Sequence, residues 1–188
     1  MPTVIAGGII TLEYAAAGLA YAAATVGQPS YAARDADLAA YIQAATPVIE
    51  NIVGAVVPRI VVERYDGGAD LIVLRNRATS ISAVTVAGVA TADYTFDPDS
   101  SILYAGGSFL SGRQTVEVTY TTGFTTIPAT LQLATRELVR FWVQQGNQSQ
   151  RPAFGDAVES AAYTPQGFAV PKRVMELCAP YRTMGGFA

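Results

Sequence analysis

The hydrophobic pattern of this chain changes period twice. After Thr11, a good N-cap, the run "LEYAAAGLAYAAA" reads as a helix over about residues 11–25. Glu13 lies in its first turn, where the helix dipole favours an anion. The segment "VGQPS" then breaks the chain. Asp35 and Asp37 read as caps of a second helix over about 35–54. In it Leu38, Tyr41, Ile42, Ala45, Ile49, Ile52, Val53 and Val56 follow amphipathic spacing. Pro47 inside this pattern predicts a kink or a fresh start, and Gly54 suits the C-terminal end.

From Ile60 the period falls to two. "IVVERY", "DLIVLRN", "ISAVTVAG", "DYTFDP", "SILYAG" and "QTVEVTYT" are short runs rich in Val, Ile, Thr and Tyr, separated by turn residues. They predict an antiparallel β unit over about 60–121, with Asp66-Gly67 as a hairpin signal. Pro128 then suits the first position of a third helix over about 128–145, ending at Gly146. Leu131, Ala134, Leu138, Phe141 and Trp142 form one stripe, and Leu133, Val139 and Val143 fall off it. A helix that is apolar beyond one face needs cover on more than one side. Neighbouring copies of the same chain are the expected cover.

The stretch "NQSQRPAFGDAVESAAYTPQG" is polar and punctuated by Gly and Pro, and "FAVPKRVMELCAPYR" behind it predicts a short terminal helix. The expected organisation is α+β: a small helical bundle with an inserted antiparallel β unit over 1–146, then a linker and an extended arm over 147–188. The N-terminus carries no Lys or Arg before Arg34 and has Glu13 in its apolar stretch, so it is read as mature structure and not a targeting peptide. No run is long and apolar enough to predict a membrane span.

Composition narrows the chemistry. Half of the 188 residues are hydrophobic and 14% are charged, a balance shifted toward burial. The net charge of −3 provides no basic field for nucleic acid. Lys172 is the sole lysine, and Arg, the cation better suited to packed interfaces, supplies the other positive charges. There is no histidine and one cysteine, which rules out Ser-His and Cys-His catalysis, the usual Cys/His zinc sites and an internal disulfide. Folding in a reducing cytosol is expected. Cys178, between Leu177 and Ala179, reads as a packing residue. The run Asp97 to Ser101 suggests calcium but lacks the further positions of an EF-hand loop, so a turn is the better reading. Glu63, Glu117 and Glu137 are scattered, and nothing pairs them for acid–base work. Arg75 and Arg77 flank Asn76 as a small basic bump, read as a solvated strand end. No catalytic residue, metal or cofactor is expected.

Several pieces together, in order, resemble the head-tail connector (adaptor) proteins of tailed bacteriophages. They are "ITLEYAAAGLAY", "DADLAAYIQAATPVIENIVGAVVPRIVVERYDGG", "ISAVTVAGVATADYTFDPDSSILYAGG", "VEVTYTTGFTTIPATLQLATRELVRFWVQQ" and "FAVPKRVMELCAPYR". The resemblance runs from about Ile10 to Arg182. It implies a structural virion protein of the neck, commonly a ring of twelve copies beneath the portal. Such a ring extends the DNA channel, without sequence-specific binding, and receives the stopper or tail-terminator protein. It also implies that the C-terminal segment reaches the portal. On that reading Phe168, Val170, Pro171, Val174, Met175, Leu177 and Tyr181 form the portal-binding arm, and Leu133, Val139 and Val143 form the intersubunit side. Two other readings compete: a different neck or tail-completion ring protein, and a β-rich binding module whose Tyr65, Tyr94, Tyr104 and Tyr120 line a sugar site.

Overall fold

The computed structural model describes residues 5–21, 25–149 and 170–182, with 146–149 as backbone only. The chain divides into a helical unit, residues 1–52 and 129–184, and a β unit, essentially residues 53–128. The fold is α+β, with the β unit inserted between the second and third helices.

The helical unit begins with α1, Leu12–Gly18. Thr11 caps it by accepting a hydrogen bond from the Tyr14 amide at 3.3 Å. The helix is shorter than the pattern predicts. Ala20 takes a positive φ of 58°, and the Tyr21 amide returns to the Ala16 carbonyl, closing the helix as a left-handed cap does. Residues 22–24, which the prediction included, lie outside the described residues.

A 3-10 turn, Pro29–Tyr31, leads into α2, Ala32–Val53. Leu38, Ile42, Ala45 and Ile49 are its fully buried stripe. The helix continues through Pro47 as one element, so no second segment starts there. Thr46 beside it is buried, donates to the Ile42 carbonyl at 3.0 Å and accepts the Ile9 amide at 3.4 Å. Asp35 also departs from expectation. It lies inside the first turn, and its carboxylate accepts the Gly27 amide at 2.7 Å and both Nε and Nη2 of Arg34. Arg34 in turn stacks on the rings of Tyr21 and Tyr31 and donates to Thr25. Asp35 is therefore the pin of the α1–α2 connection, not a helix cap.

The β unit is built from seven strands: β1 Arg59–Gly67, β2 Leu71–Val73, β3 Ala78–Val86, β4 Val89–Thr91, β5 Tyr94–Asp97, β6 Ile102–Ala105 and β7 Gly112–Thr122. They form a four-stranded sheet in the order β1-β7-β3-β4 and a three-stranded sheet in the order β2-β6-β5, with every pairing antiparallel. Their inner faces share one core, including Ile72, Leu103, Val84, Val116, Val118 and Tyr120. The β3–β4 hairpin turns at Ala87 and Gly88, both at positive φ, as a two-residue hairpin loop requires. The Asp97 carboxylate accepts from the Asp99 amide and the Ser100 hydroxyl, so this run is a strand turn, as its residue types predict.

The expected hairpin at Asp66-Gly67 does not form. Strand β1 pairs with β7, and β2 belongs to the other sheet. Gly67 serves a different need, because a Cβ there would fall 2.0 Å from the Leu110 carbonyl oxygen. Asp66 accepts the Gln114 amide at 2.7 Å across the same strand pair. The glycine permits close approach of two chain segments where the sequence suggests a turn.

The third long helix, α3, runs Ala129–Ser149 and passes through Gly146 instead of ending there. The short α4, Lys172–Cys178, follows Pro171 and continues into a 3-10 turn, Ala179–Tyr181.

Candidate interaction surface

The cover for α3 comes largely from its own chain. Its buried positions are Leu131, Ala134, Thr135, Leu138, Val139 and Trp142, spaced three and four apart as a single wide stripe. Both α1 and α4 pack against this helix. Val139, expected to face a neighbouring copy, is fully buried within the chain and is removed from the intersubunit set. Its position next to Thr135 and Trp142 on the helix surface explains this, since it is the flank of the stripe and not a second face. Leu133 and Val143 are half-buried, and Leu133 shares the face of Glu137, Arg140 and Gln144.

The terminal helix likewise turns inward. Val174, expected to anchor in a partner, is fully buried, as is Cys178, whose thiol pKa is pushed up by burial. Val170, Pro171, Met175, Leu177 and Tyr181 are half-buried, and Phe168 lies outside the described residues. Burial of Val174 and Cys178 one turn apart is what an amphipathic helix lying on α3 produces.

The unsatisfied apolar surface lies instead on the β unit. Among the described residues, every exposed large hydrophobic side chain except Tyr31 belongs to it. Strand β1 is an edge strand, and its side chains alternate between inner and outer faces. Val61 and Tyr65 point to the core, while Ile60 and Val62 point outward at 70% and 57% exposure. Beside them Arg64 pairs with Glu117 at 2.8 Å. At the opposite edge of the same sheet, β4 borders an open groove of about 380 Å³. Val86, Val89, Phe109 and Leu110 line it, with the Asp93 carboxylate as its charged member. Val89 is 70% and Leu110 58% exposed.

The inner polar residues explain this orientation. Glu63 faces inward with Tyr65. One of its carboxylate oxygens accepts the Tyr65 hydroxyl and, at 2.8 Å, the Tyr120 hydroxyl; the other accepts Asn76 Nδ2 at 3.2 Å. The Tyr65 oxygen also accepts the Arg75 amide. Burial, with the hydrogen bond to Glu63, raises the Tyr65 pKa far above the usual phenol range; burial is also the main cause of the rise at Tyr120. Two phenols and an amide thus satisfy one carboxylate, a structural network that locks β1, β7 and the β2–β3 loop together. Tyr65 and Tyr120 are spent in it and form no open aromatic platform. Of the four tyrosines considered for a sugar site, Tyr104 alone is exposed.

No group of three or more His, Cys, Asp or Glu is placed to hold a metal among the described residues, and none of the described helices is long and apolar enough to cross a membrane. What the geometry provides is surface, with exposed apolar side chains on β1 and along the groove beside β4.

Residues 25–184 match the head completion protein family. The chain belongs to that family. No curated protein matches it. Three solved structures share the fold of this head completion protein. A chain from the neck of an empty gene transfer agent particle, computed with sixfold cyclic symmetry, aligns with a TM-score of 0.65 at 21% identity, covering 98% of this chain and 95% of that one. A chain from the virion of a native gene transfer agent particle aligns with a TM-score of 0.63 at 21% identity over the same shares. A chain from the neck of a native particle, computed with twelvefold cyclic symmetry, aligns with a TM-score of 0.58 at 20% identity, covering 81% of this chain and 85% of that one.

Proposed function

We propose that this head completion protein is a structural subunit of the virion neck, joining the head to the tail as one member of a cyclic ring. The family match over residues 25–184 carries this reading. The shared fold with chains of symmetric necks supports it, since a ring subunit must offer two different lateral faces that bind head to tail.

On this reading the ring contacts the portal on the head side and a stopper or tail terminator on the other. The protein acts by assembly and not by catalysis. With Val174 seated on α3, α4 and the 3-10 turn behind it offer the half-buried Met175, Leu177 and Tyr181 to the head-side partner. The genome passes through the ring, and a chain of net charge −3 and pI about 4.9 gives the passing phosphates no general cationic trap.

The test is imaging of the purified protein mixed with the portal of its own particle. A ring coaxial with the portal is the expected result. A chain that binds tail tubes and never the portal would overturn the head-side assignment and favour a tail-completion role.

A further inference from the structure

The three-stranded sheet presents an apolar outer face. Along β2, β6 and β5 the side chains alternate between faces, and Ile72, Leu103 and Phe96, in register, turn to the core. Leu71, Tyr104 and Thr95 form the row on one side of them, and Val73, Ile102 and Asp97 the row on the other, so these six share the outer face. Leu71, Val73 and Tyr104 are exposed and Ile102 is half-buried. The Asp97 carboxylate is engaged by its own turn, through the Asp99 amide and the Ser100 hydroxyl. Four adjoining apolar side chains with the one charge beside them already engaged are the kind of surface that marks an interaction site. The helical unit carries a matching surplus of chain. Its α3 and α4 pack on each other, and a connection between packed helices needs about 2–8 residues. Between Ser149 and Val170 the chain supplies residues 150–169, with Phe154, Val158, Tyr163 and Phe168 among them. Both ends belong to that helix pair, so the segment must travel out and return. At about ten residues each way it reaches about 30 Å, roughly the diameter of a small domain and so the separation of adjoining copies.

We infer that residues 150–169 of one copy lie across the outer face of the three-stranded sheet of the next, covering Leu71, Val73, Ile102 and Tyr104. This rests on the ring reading above and specifies what one copy hands to its neighbour. The donor is a segment between α3 and α4 and the acceptor is a sheet face, so the contact joins two different surfaces. It is heterologous, and passed in one direction it covers every face once and closes by rotation. The Phe and Tyr side chains of the segment supply large apolar area for few rotatable bonds, and Tyr104 is the aromatic they meet.

Two measurements test it, both in assembly on DNA-filled, tail-less heads from a particle lacking this protein. In the first, Tyr104 is replaced by the photo-crosslinker benzoylphenylalanine, and this chain is mixed with heavy-isotope-labelled wild type before assembly. Irradiated rings should yield cross-linked peptides from residues 150–169 of the labelled copy. In the second, Val73→Glu places a carboxylate under the segment. Val73 is 59% exposed, so the monomer should keep its circular dichroism and melting temperature. Ring occupancy should fall about tenfold or more, because an unpaired charge is buried at every junction. Cross-links that reach only the variant's own copy, another segment or the portal would overturn the inference. So would Val73→Glu rings at wild-type occupancy. Either result leaves the neck assignment standing, since the wild-type rings have formed. A wild-type chain that forms no ring on heads would overturn both.

Discussion

Replacing Val174 with alanine tests whether the terminal helix belongs to the folded helical unit. Val174 is fully buried on α4, and α4 packs on α3. The change removes two methyl groups, each worth about 0.8 kcal/mol of burial, and leaves a small cavity, for a loss of about 2 kcal/mol. Alanine is the better helix former by about 0.5 kcal/mol, which brings the net loss to about 1.5 kcal/mol. For a chain of this size that is about 3–6 °C in melting temperature. The assay is urea and thermal unfolding followed by fluorescence of Trp142, the single tryptophan, which sits in the buried stripe of α3. Arg173→Ala, on the exposed side of the same helix, is the control and should stay within about 0.5 kcal/mol of wild type. If the two variants melt together, α4 is not seated on α3 in the free protein, and the case for its burial collapses.

Two further outcomes follow from single contacts. Gly67→Ala drives a Cβ to 2.0 Å from the Leu110 carbonyl, and that oxygen cannot rotate away. The β1–β7 bulge must shift at a cost of about 2 kcal/mol, whereas Gly107→Ala meets nothing within 4 Å and should melt as wild type does. Asp35 is held below its ordinary pKa of 3.8, first by the Gly27 amide and then by Arg34, against the effect of burial. Its folded pKa is depressed, so its contribution is fully present above the unfolded value and is lost as pH falls through the folded one. Acid titration of stability should show that loss below about pH 4. Asp35→Asn should flatten this part of the profile; an unchanged acid limb would show that the carboxylate contributes nothing.

The sequence made the elements legible where local rules decide. Thr11 capped a helix, Ala87-Gly88 turned a hairpin, and Asp97 to Ser101 made a turn, because each depends on residues close by. It misled where a distant segment decides. Asp66-Gly67 has the composition of a hairpin, yet what matters at Gly67 is the Leu110 carbonyl, more than forty positions away along the chain. Gly146 has the composition of a helix end, and α3 runs through it. Val139 looked surplus to the α3 stripe because α1 and α4, the elements that pack on that helix, are distant from it in the sequence.

The same logic explains why the candidate surface was invisible in the sequence. In "IVVERY" the alternation fixes which residues share a face but not which face is inside. Hydrophobicity alone would bury Ile60 and Val62 and expose the face that holds Glu63. The structure does the opposite, because Tyr65, Tyr120 and Asn76 together satisfy the Glu63 carboxylate, and those partners come from three different parts of the chain. A one-residue slip would put Glu63 outside and Ile60 and Val62 inside, at the expense of every hydrogen bond in that network. The polar network therefore selects the register, and the register leaves two apolar side chains on an open edge. In a free chain that arrangement exposes apolar surface to water.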